Sequence, residues 1–138
     1  MDVRLQALKE ATASLHYLAT IDFAALAQQL DPRLIDGIRN GLAQKFEYTL
    51  ELCWKCIKDY LREKEGIDEA SPKKVLKAYY LAGQLTEDAY IQLLSAIDDR
   101  NRLAHVYDEP TFNAILARIP SYSTLLEAAS QTLAGSSE

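Results

Sequence analysis

The stretch Asp31 to Tyr60, DPRLIDGIRNGLAQKFEYTLELCWKCIKDY, holds the longest periodic run in the chain. Leu34, Ile38, Leu42, Phe46, Leu50, Cys53, Ile57 and Tyr60 recur at steps of three or four, which places them on one face of a helix. Asp31-Pro32 opens it: an Asp accepts from the free amides of a first turn, and Pro fits the first helical position. Gly37 and Gly41 weaken the early turns by about 1 kcal/mol each relative to Ala. Gly66 is the expected stop.

The same punctuation repeats on both sides. Leu5, Leu8, Leu15 and Leu18 define a helix face between Asp2 and Ala19, and Phe23, Leu26 and Leu30 a shorter one capped by Asp22. Downstream, Ser71-Pro72 opens a helix with Val75, Leu76, Tyr79 and Tyr80, closed by Gly83. Thr86 caps the next, with Glu87 and Asp88 well placed against the helix dipole and Tyr90, Leu93, Leu94 and Ile97 on its apolar face. Glu109-Pro110 opens the last, through Phe112, Ile115, Leu116 and Ile119. Pro120 is expected to kink or break it before Leu125, Leu126 and Leu133. Residues 135–138 read as a frayed tail. With no strand pattern and short connections, the expectation is an all-α antiparallel bundle of five to six helices, one domain spanning residues 1–138.

Bulk properties narrow the function. A chain of 138 residues is one domain on a prior of about 150 residues each. The net charge of −5 argues against a general nucleic-acid binder but leaves room for a local basic groove. No run approaches the ~20 apolar residues of a membrane span. Met1-Asp2-Val3-Arg4 lacks the pattern of a signal peptide, so a cytoplasmic location is expected. Cys53 and Cys56 form a CxxC. A zinc site needs about four ligands and a redox motif needs a strand before it; neither is at hand, so the pair reads as core-facing. No metal or cofactor is expected.

Chemistry concentrates in Asp98-Asp99-Arg100-Asn101-Arg102-Leu103-Ala104-His105-Val106-Tyr107-Asp108-Glu109. On a helix, Asn101 and His105 share a face, and Arg100 and Tyr107 share the neighbouring one if the helix persists. A phosphate touching both Arg100 and His105 then meets a charged fork and a side chain of the type suited to acid–base work. That set suits metal-free cutting of RNA, in which the ribose 2′-hydroxyl attacks the phosphate. The reaction needs a base, an acid and a cation, with Asn101 orienting either partner. One chain supplies one such His, so an acid and a base together require two chains. The composition equally suits an ordinary helix C-terminus, where Arg and His favour the dipole. His16 has no such company and reads as structural or surface. Candidate RNA-binding cations are Arg102, Lys73, Lys74 and Lys77, with Lys55, Lys58, Arg62 and Lys64 as a second set on the long helix.

This stretch resembles the signature of the HEPN superfamily. It is similar, more specifically, to that of the HepT-like toxins and the related nucleotidyltransferase substrate-binding proteins: Arg, four residues, His, one residue, Tyr, here Arg100, His105 and Tyr107, followed by Asp108-Glu109. The segments Phe46 to Lys55, Ser71 to Leu76 and Ala82-Gly83 also look like the family, so the resemblance covers roughly residues 35–130. It implies a helical bundle and a homodimer with a composite active site. It also implies a metal-independent ribonuclease toxin with Arg100, His105 and Asn101 in catalysis. The cognate partner would be a minimal nucleotidyltransferase antitoxin that neutralises the toxin by AMPylation of Tyr107. The alternative it implies is a non-catalytic subunit that presents substrate to that nucleotidyltransferase.

Overall fold

A computed structural model describes residues 2–105 and 108–136. Six α-helices carry these residues: α1 Val3–Ala19, α2 Phe23–Ala27, α3 Pro32–Tyr60, α4 Pro72–Leu81, α5 Glu87–Leu103 and α6 Glu109–Ser136. No strand occurs among the described residues.

The starts follow their capping chemistry. Asp2, Asp22, Asp31 and Thr86 each accept from a backbone amide of the first turn of α1, α2, α3 and α5. Asp108 does the same for α6, its carboxylate accepting from the Thr111 amide at 2.9 Å. At its far end α3 relaxes into a π turn, Leu61–Glu65, and stops at Gly66, whose φ of +66° only glycine adopts readily. Gly83, at φ +81°, turns the chain after α4 in the same way.

Helix directions follow from which residues meet. Arg4 pairs with Asp59 and the Thr49 hydroxyl donates to the Ala11 carbonyl, so α1 runs antiparallel to α3. His16 meets Glu127, the Ser95 hydroxyl meets Tyr122 and Asp99 meets Arg118, so α6 runs antiparallel to α1 and to α5. Arg39 reaches Asn113 and Phe46 stacks on Tyr122, so α3 and α6 run the same way, against the simplest antiparallel expectation. The core is drawn from α1, α3, α4, α5 and α6, with Leu8, Leu15, Phe46, Leu50, Ile57, Val75, Leu93, Ile119 and Leu126 fully buried or nearly so. Each such side chain contributes about 1.5–3 kcal/mol.

Of the kink or break expected at Pro120, the break does not occur: α6 is one helix from Glu109 to Ser136. Pro120 is exposed, while Ile119, Tyr122 and Ser123 beside it are buried. The anchoring of those neighbours outweighs one missing backbone bond. Cys53 and Cys56 are unpaired and buried in the core. Burial, first of all, pushes both thiols up to about 12. A thiol held protonated is a poor ligand and nucleophile. None of the helices among the described residues is long and apolar enough to cross a membrane.

Candidate functional site

The last turn of α5 lies between α3 on one side and α6 on the other, because Arg100 and Asp99 are successive residues on a helix and face different neighbours. Arg100 faces α3. Its Nη2 lies 3.5 Å from the Glu51 carboxylate, and its Nε is buried with no hydrogen-bond partner among the described residues. Glu51 also accepts from the Trp54 indole at 3.0 Å and pairs with Lys55 at 3.3 Å. Burial raises the Glu51 pKa, but those bonds and the charges of Lys55 and Arg100 outweigh it and leave the carboxyl below its ordinary value. Glu47, one turn earlier on α3, is raised by desolvation, which the Arg100 charge only partly offsets.

Asp99 faces α6 and is fully buried. It accepts four hydrogen bonds: from Arg118 Nε at 2.7 Å and Nη2 at 2.9 Å, from Arg102 Nη1 at 2.8 Å, and from the Tyr122 hydroxyl at 2.6 Å. Burial works against its charge, yet these bonds hold the carboxyl below the usual carboxylate range. The Tyr122 hydroxyl, donating to Asp99, accepts from Ser95 at 2.9 Å. Sequence reading passed over this network. Its one local signal is a carboxylate three residues after buried Ala96, in the apolar register of α5.

The helix does not persist through the motif. α5 ends at Leu103, Ala104 caps it, and the His105 amide donates to the Arg102 carbonyl at 2.8 Å in the turn that follows. The face shared by Asn101 and His105, and that shared by Arg100 and Tyr107, were helical expectations, and the helix that both need stops short of residues 105 and 107. Gly and Pro are absent from this end of α5, so nothing local announced the stop. Asn101 and His105 are both exposed. Tyr107, the expected AMPylation target, lies outside the described residues.

The expected RNA-binding cations divide. Arg102 belongs to the Asp99 network. Lys73 reaches α5 through a 2.7 Å ion pair with Asp98. Lys74 and Lys77 lie on the exposed face of α4, opposite Val75, Leu76 and Tyr79. Of the second set, Lys55 is paired with Glu51 and Arg62 lies 3.6 Å from Asp59, while Lys64 sits beyond α3 in the π turn. Among the described residues, no three His, Cys, Asp or Glu side chains gather to hold a metal.

Comparison with known proteins places the chain. It is similar to a protein from Thermus thermophilus of known crystal structure, at 36% identity and a TM-score of 0.79, over 91% of this chain and 98% of that one. No curated protein matches it. Residues 3–135 match the family described as nucleotidyltransferase substrate binding protein like, and with nearly its whole length covered the chain belongs to that family.

Proposed function

We propose that this protein is the substrate-binding subunit of a two-component nucleotidyltransferase, carrying no transfer chemistry itself and presenting a substrate to a small catalytic partner. The observation that carries this reading is the family match over residues 3–135. The site is compatible with it. Arg100 keeps 38% of its side chain exposed and makes only a long contact to Glu51, so its guanidinium can meet an anionic group from outside the chain. The test is to express the chain with a minimal nucleotidyltransferase encoded beside it, isolate the complex, and measure nucleotide transfer from ATP with and without this subunit. Transfer to a third molecule that requires this subunit supports the reading. Transfer that proceeds equally without it, or no complex at all, sinks it.

A second reading rests on the exposure of His105 immediately past the turn that bears Arg100 and Asn101. In it the protein is a HepT-like, metal-independent endoribonuclease toxin, active as a homodimer with a composite site and silenced when the partner transfers AMP to Tyr107. The measurement is cleavage of total RNA in EDTA by the wild type and His105→Ala, with end-group analysis. Fragments ending in 2′,3′-cyclic phosphate from the wild type alone establish it. Intact RNA from protein whose mass shows no AMP excludes it.

A further inference from the structure

We propose that the cavity at the end of the bundle where α1 starts and α3 stops is a binding site for a small organic cation, an aliphatic chain carrying one ammonium group. The site shares no residue with the Arg100 and Asp99 clusters and does not depend on the function proposed above.

The helix directions create the space. α1 is antiparallel to α3 and α6 is parallel to it, so the first turn of α1 meets the end of α3 and residues Leu133 and Ser136 of α6. Between them lies a cavity of about 330 Å³. Sites for small molecules start at about 300 Å³. Buried Leu5, Cys56 and Leu133 form its floor, and half-buried Tyr60 a wall. A floor of that kind takes up methylene groups, which leave water for it.

The rim is acidic. Asp2, Asp59 and Glu63 line it against a single cation, Lys64. Asp59 is held by Arg4 at 2.8 Å. Asp2 accepts only from the Arg4 amide of its own helix, and Glu63 has no side-chain partner among the described residues. With Asp59 and Arg4 cancelling, Asp2 and Glu63 stand against Lys64, a surplus of one negative charge. That field reaches the floor: after burial itself, the charges of Asp2 and Asp59 are what raise the Cys56 thiol. The π turn that ends α3 runs out beside Glu63 and Lys64 at Gly66, so the negative end of the helix dipole adds to it. An anion would meet like charge here, and a hydrated metal ion would leave the floor unfilled. An ammonium on an aliphatic body answers both parts of the cavity.

The test is calorimetric titration of the intact chain with n-hexylammonium chloride at fixed ionic strength. Two controls, n-hexanol and ammonium chloride, each keep one half of the chemistry. Saturable binding of hexylammonium is expected, weakened by added salt, with hexanol binding more weakly and ammonium chloride not at all. Glu63→Gln removes one surface charge and is expected to lower the affinity by about two- to fivefold. Ser136→Phe fills space at the rim and is expected to abolish binding. Neither residue belongs to the core, so both variants are expected to fold, as circular dichroism would check. Hexanol binding as tightly as hexylammonium, or unchanged affinity in Glu63→Gln, overturns the assignment to a cation. Full binding by folded Ser136→Phe overturns the assignment to this cavity, and absence of saturable binding by the wild type overturns the site altogether.

Discussion

Arg118 donates through Nε and Nη2 to the two oxygens of Asp99, at 2.7 and 2.9 Å, clamping α6 to the C-terminal end of α5. Removing one member of a buried ion pair leaves the rest uncompensated and costs about 3–5 kcal/mol. Asp99→Ala is therefore expected to lower the stability measured by urea unfolding by an amount in that range. A loss within experimental error would mean that the clamp contributes nothing to stability.

The same carboxyl makes stability sensitive to acid. Its folded-state pKa is depressed, so its contribution is fully present above the ordinary carboxylate range near 3.8 and is lost as pH falls through the lower folded value. Urea titrations of wild type and Asp99→Asn should differ at neutral pH and converge below about pH 4. A gap that stays constant into acid would assign the difference to packing instead.

Tyr122→Phe separates the ring from its hydroxyl. The ring stacks on Phe46 at 5.4 Å and survives the change, while the bonds to Asp99 and Ser95 do not. The expected cost is about 1–3 kcal/mol, the range for leaving buried partners unsatisfied. A neutral result in thermal melts would count against Tyr122 as part of the clamp.

Pro120→Ala is expected to stabilise. Pro inside a helix is about 3 kcal/mol worse than Ala, and the stiffening it gives the unfolded chain returns at most about 1 kcal/mol. A net gain of about 2 kcal/mol should appear as a raised melting temperature. Destabilisation would show that the native backbone at this position depends on the ring.

Glu51→Gln is expected to release Arg100. Exposed ion pairs are worth about 0–1 kcal/mol, so the stability measured by urea unfolding should fall by no more than about 1 kcal/mol. A larger loss would assign the effect to the bond that Glu51 accepts from the Trp54 indole.

Much of the fold was legible because it is written locally. Asp22, Asp31 and Thr86 sit where a helix begins, and their side chains reach amides two or three residues away. Gly66 and Gly83 mark ends for an equally local reason, their positive φ. At Pro120 the helix does not break, because the local rule competes with burial of Ile119 and Tyr122, which depends on helices far away in sequence. The site was half legible. Arg100, Asn101 and His105 stand out by residue type in one short stretch. Asp99 does not, since its meaning depends on Arg118, nineteen positions later and on another helix. Next to Asp98 it looks like half of a solvated acidic pair, yet Asp98 binds Lys73 at the surface and Asp99 is sealed inside.

The two core cysteines turn the bundle into its own stability reporter. With both thiols buried and their ionisation suppressed to about 12, an alkylating reagent at neutral pH meets thiolate only when the packing around α3 opens. Labelling time courses followed by mass would count opening events in the native protein without denaturant. A cysteine introduced at the surface would react far sooner, giving a singly tagged chain while the native pair stays silent.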